Sequence, residues 1–135
     1  MFFKKNENEK DDLAKVAALL IHAAKIDENF TNKEEEIIKQ ALKKISGDES
    51  DINNLIKKGK IIEENTNQIL DFTKEVKNMA EQNKIEIIET LWRIIYSNKE
   101  ADIYEMNLMR RLAGLLYIDH KTMGDIKQKI KKENS

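Results

Sequence analysis

Asp27-Glu28-Asn29-Phe30-Thr31-Asn32-Lys33-Glu34 joins one apolar helical run to the next, and Asn98-Lys99-Glu100-Ala101-Asp102-Ile103-Tyr104-Glu105 does the same further along the chain. The segments correspond at three polar positions: Asp27 with Asn98, Thr31 with Asp102, and Glu34 with Glu105. Each follows an apolar run, Leu19-Leu20-Ile21-His22-Ala23-Ala24 or Leu91-Trp92-Arg93-Ile94-Ile95-Tyr96. Each precedes another, Ile37-Ile38-x-x-Ala41-Leu42 or Leu108-Met109-x-x-Leu112-Ala113. The apolar residues recur with the period of a helix, and strict alternation is missing. Thr31-x-x-Glu34 and Asp102-x-x-Glu105 have the spacing of capping boxes, which start helices. The pattern is helix, acidic turn, helix, stated twice. It predicts an all-α fold with an internal pseudo-repeat.

Composition bounds the rest. At 135 residues the chain fits one domain and can bury about two-thirds of its unfolded surface without a staple. Hydrophobic residues make up 40% and charged residues 36%, with 24 basic side chains against 25 acidic. That balance argues against nucleic acid held by a basic field, and against disorder, which needs high net charge. The absence of Cys excludes thiol catalysis, thiolate ligands and disulfides. His22 and His120 are the only histidines, too few for a multi-histidine zinc site in one chain. Met1-Phe2-Phe3-Lys4-Lys5 lacks the apolar core of a signal peptide, and no run reaches the length of a membrane span. A cytoplasmic location is expected. The two Phe and following lysines leave a peripheral membrane contact open, against the plainer reading of a frayed end.

Proline is absent and glycine occurs at only four positions, so little interrupts helices. The reading is a compact bundle of about seven helices: a flexible N-terminal tail over 1–10, then one domain over 11–133. The first helix is expected over about 11–26 with Leu13, Val16, Ala17, Leu20 and Ala24 inward. The second spans about 32–46 and is closed by Gly47 in a left-handed cap. The third begins near Ser50, with Gly59 as a break or bend. The fourth follows Asn67. The fifth starts after Asn83, with Glu86 completing a capping box. It is apolar all round and so belongs at the bundle centre. The sixth covers about 103–117 and the last about 121–132, where Lys127, Lys129, Lys131 and Lys132 suit the negative end of a helix dipole.

Several of these residues together resemble the TerB-like tellurite-resistance family. Leu91-Trp92-Arg93-Ile94-Ile95-Tyr96-Ser97-Asn98 is similar to that family's Leu-Trp-x-Val-Ala-Tyr-Ala-Asp segment. Ala23-Ala24-Lys25-Ile26-Asp27, with Glu34 beyond it, resembles the family's first Ala-x-x-Asp-Gly turn and its following Glu. Leu108-Met109-Arg110-Arg111-Leu112-Ala113-x-Leu115-Leu116 resembles the helix after the second turn. The likeness covers about residues 11 to 130 and implies a compact helical domain tied to stress resistance; a related domain precedes the J-domain of a membrane-anchored co-chaperone. It also implies divalent metal bound by acidic residues near the turns. Carried over, Asp27 and Glu34 match in the first turn and Glu105 in the second, with Asn98 standing where Asp is usual. The family's Gly after the turn Asp is Glu28 in one copy and Lys99 in the other, so the turns depart in backbone freedom and in charge.

Capping alone accounts for Thr31, Glu34, Asp102 and Glu105, at about 1 kcal/mol per cap. It does not require Asp27, Glu28 or Glu100. Oxygen donors of this kind select a hard cation, Ca²⁺ or Mg²⁺. A single-loop EF-hand is excluded, because Asn32 and Ile38 stand where its Gly and its Glu must be, and Ile103 and Met109 in the second copy. A site shared by the two turns, with Asp27, Glu34, Asn98 and Glu105 as ligands, is the remaining metal expectation. His22, Tyr96 and Trp92 read as packing residues, the Trp92 N–H needing one partner.

No nucleophile with its base and no phosphate-cradling glycine pattern occurs, so no enzyme is expected. The expected function is a non-enzymatic stress-response module, with a divalent ion tying the second helix to the sixth. The alternative is a metal-free interaction domain that dimerises, or meets an unidentified protein partner, through exposed apolar residues such as Phe2, Phe3, Phe30 or Tyr117. A small carboxylate hydrolase is the weakest reading.

Overall fold

The computed structural model describes residues 7–26, 30–47, 51–66, 68–97 and 102–133. Among these it has seven helices and no strand: α1 Glu7–Ala24, α2 Asn32–Ser46, α3 Ile52–Glu64, α4 Leu70–Val76, α5 Glu81–Tyr96, α6 Ile103–Leu115 and α7 His120–Glu133. No helix of the described residues is long and apolar enough to cross a membrane.

Two helices share the centre. α5 was expected there, and it buries Ile87, Ile88, Leu91, Trp92, Ile94 and Ile95. α1 was expected to turn one stripe inward, yet Ala14, Ala18, Leu19, Ile21 and Ala23 are buried too. The reason is its position. α1 is approached by α2, α3, α4 and α5, so no face is left for solvent over most of its length. Small side chains permit this: five alanines in α1 let neighbouring backbones come close.

The closest approach is at Gly59. The helix does not break there. A Cβ on Gly59 would lie 2.7 Å from the Ala17 Cβ and 3.1 Å from the Ala18 backbone nitrogen, so α3 lies flush on α1 only because that atom is missing. Gly59 is buried as a result.

The helix ends that the sequence assigned to a local cap follow it with one exception. Gly47 closes α2 at φ 69°, its N–H donating to the Lys43 carbonyl. α6 ends in a Schellman motif: the Ile118 N–H reaches the Ala113 carbonyl at 2.9 Å and the Tyr117 N–H the Gly114 carbonyl at 3.4 Å. The left-handed position is held by Tyr117, φ 57°, where glycine is usual. The exception is α5. It begins at Glu81 behind Ala80, not after Asn83, and no side chain caps it. The earlier start puts Lys84 a turn inside the helix. There its ammonium, on a buried side chain, donates to the Leu116 carbonyl at 3.2 Å and satisfies the end of α6.

Candidate functional site

Both expected capping boxes are present. Thr31 Oγ1 accepts from the Glu34 N–H at 3.1 Å, and the Thr31 N–H donates to Glu34 Oε1 at 2.9 Å. Asp102 Oδ1 accepts from the Glu105 N–H at 2.8 Å, and the Asp102 N–H donates to Glu105 Oε1 at 3.1 Å. The pseudo-repeat is therefore physical. Equivalent residues start α2 and α6 by the same pair of bonds. The two glutamates are also buried, at 1% and 5% exposure, although a capping box needs no burial.

Of the four residues expected to ligate a cation, Glu34 and Glu105 are described and Asp27 and Asn98 lie outside the described residues. Among the described residues no group of three or more His, Asp or Glu stands close enough to hold a metal ion. What the described half supplies is one buried carboxylate per turn, an oxygen donor suited to a hard cation.

The surroundings of the two turns differ. α3 braces the first on both sides. Before the turn, Lys25 donates to Glu63 Oε1 at 2.6 Å, and His22 Nδ1 lies 3.4 Å from Glu63 Oε2, with the His22 ring 5.6 Å from that of Phe72. Burial alone would raise the Glu63 carboxyl. The bonds from Lys25 and His22 outweigh it and hold the group below the ordinary carboxylate value. After the turn, Lys60 donates to Glu35 Oε1 at 2.8 Å and sits 5.8 Å over the Phe30 ring. The Lys60 hydrogen bond likewise lowers Glu35. Phe30 is thus half-buried against the core and is no exposed partner residue.

The second turn has no such brace among the described residues. It follows Tyr96, buried and stacked on Trp92 at 5.8 Å, its phenol pushed above the ordinary value by burial. It leads into Ile103 and Tyr104, exposed at 63% and 73%. Sequence reading missed these two as surface apolars. Their signal was available: they are N1 and N2 of a capped helix, positions that point away from its core-facing stripe. Tyr117 is exposed as expected, and Phe2 and Phe3 lie outside the described residues. Trp92 departs from expectation, since its buried Nε1 finds no hydrogen-bond partner among the described residues.

The family model described as Tellurite resistance protein TerB matches residues 13–128, nearly the whole chain. The chain belongs to the TerB family. No curated protein and no solved structure gives a match. The match runs from within α1 into α7 and takes in both acidic turns with α2, α5 and α6 entire.

Proposed function

We propose that this TerB domain is a non-enzymatic stress-response module that takes up a divalent cation at its two acidic turns. The observation that carries the reading is the matched pair Glu34 and Glu105: two buried carboxylates at equivalent helix starts, each ending a turn that holds a further oxygen donor, Asp27 or Asn98. Oxygen-only donors favour Ca²⁺ or Mg²⁺. Bound between the turns, the ion ties the start of α2 to the start of α6. It fixes the start of α6, which has no brace from α3 among the described residues, and with it the apolar pair Ile103 and Tyr104. Those exposed side chains are the surface offered to a protein partner.

Titration calorimetry with Ca²⁺, Mg²⁺, Mn²⁺ and Zn²⁺ tests the cation, with melting curves alongside. The expected result is heat and a raised Tm with Ca²⁺ or Mg²⁺ in the wild type, both lost in Asp27→Ala. No heat and no shift in either protein overturns the metal reading.

The second reading is a metal-free interaction domain, favoured by the same exposed pair. It expects Ile103→Ser with Tyr104→Ser to abolish association in metal-free buffer, followed by light scattering with a cell fraction. If association persists only with metal, this reading fails.

A further inference from the structure

α6 and α7 flank a cavity of about 160 Å³ that no capping or cation role explains. α6 supplies Met106, Met109 and Arg110, and α7 supplies Met123, Gly124 and Lys127; Trp92 of α5, Ala113 and His120 line it too. On each helix these residues are three and four apart, so each turns a single stripe to the cavity. Three features separate the place from ordinary core.

The first is an orphan donor. Trp92 is 2% exposed, and its Nε1–H is buried without an acceptor. Buried polar groups are normally satisfied, and among the described residues this one is not. The second is charge. No Asp or Glu lines the cavity, while Arg110 and Lys127 both do. Neither forms an ion pair among the described residues. Their neighbours Arg93 and Lys129, on the other side of α5 and α7, are held by Glu89 and Glu133. The Lys127 ammonium lies 5.6 Å from the Trp92 ring centroid, so a carboxylate that pairs with it stands beside the indole. The third is room and softness. A Cβ on Gly124 would meet nothing within 4 Å, and three methionines adapt to an irregular apolar guest and make favourable contacts with aromatic rings. An apolar cavity of about 150 Å³ holds one benzene-sized ring.

We infer that this groove binds a small hydrophobic carboxylate. A single ring or short chain lies among Met106, Met109, Met123 and Trp92, and the carboxylate pairs with Arg110 and Lys127 beside the indole ring. The inference is independent of any cation at the acidic turns.

Trp92 is the only tryptophan and lines this groove, so indole emission reads a guest placed there. The full chain is titrated with phenylpropionate and octanoate, with the uncharged phenylpropanol and octanol, and with acetate. Expected is a saturable change in emission for at least one of the two carboxylates, at about tenfold lower concentration than for its alcohol. Methyl NMR signals of Met106, Met109 and Met123 move with it, and acetate moves neither readout. Arg110→Gln and Lys127→Gln each shrink the advantage of carboxylate over alcohol. Gly124→Leu fills the cavity from its open side, keeps a cooperative melt and abolishes binding. The inference is overturned if neither carboxylate gives a saturable change up to about 10 mM, well above the millimolar range of weak ligands. It is equally overturned if the alcohols bind as tightly as the acids, or if folded Gly124→Leu binds like the wild type.

Discussion

The first half of the pseudo-repeat, α1-turn-α2, has α3 packed along it, and the second half, α5-turn-α6, has α7. The two companions behave differently. α3 carries Gly59 against Ala17 with no room to spare, and it sends Glu63 and Lys60 to either side of the first turn. α7 carries Gly124 facing open space, and between it and α6 lies a methionine-lined groove. One repeat is closed by backbone approach, the other left with a cavity and an orphan N–H. Duplicated local sequence thus produces equal caps and unequal packing. The site-like features gather on the looser side, where stability has been left unclaimed.

The largest way to break the contrast is Gly59→Ala. The new methyl forces α3 off α1, and overpacking of this kind costs about 2 kcal/mol net of the gain in helix propensity. A fall in Tm checks it. Adding Ala17→Gly restores part of the loss, since the 2.7 Å clash disappears while the backbone contacts at 3.1 and 3.2 Å remain. A full rescue, or none, would show that the interface is not governed by this one approach.

The caps should answer alike. Thr31→Ala and Asp102→Ala each remove an oxygen that accepts from N3 of a helix, and each is expected to cost about 1 kcal/mol in chemical denaturation. A difference several-fold in size would show that the two helix starts are not equivalent in energy.

Gly124→Ala is the mirror of Gly59→Ala. With nothing near the new Cβ and helix on both sides, it is expected to stabilise by about 0.8 kcal/mol, read as a raised Tm. The same substitution thus changes sign between the two companions.

The smallest effect concerns pH. The Glu63 carboxyl is held below its ordinary value in the folded state, so its contribution is present above that value and is lost as pH falls through the folded one. Both partners are part-exposed, which limits the term to about 0.5 kcal/mol. Glu63→Gln is expected to flatten the acid limb of a stability–pH curve by that amount. An unchanged limb would mean that α3 braces the first turn by packing alone.

Much of this molecule is settled within four residues of any position, and that much was legible in the chain. The all-α fold, the bounds of α2, the Gly47 cap and both capping boxes depend on period, on one backbone angle and on bonds from a residue to its third neighbour. The Asn83 cap failed because a long-range bond competed: starting α5 at Glu81 lets Lys84 reach the Leu116 carbonyl, a partner far along the sequence. Tertiary packing alone made α1 a second central helix, because burial all round depends on how many neighbours arrive, not on the helix's own stripe. It also decided that Gly59 is a contact and Gly124 a vacancy, though both are glycines within helices. The groove of Met106, Met109, Met123 and Trp92 has the same origin: three helices contribute to it, and only their relative placement brings their side chains to one place.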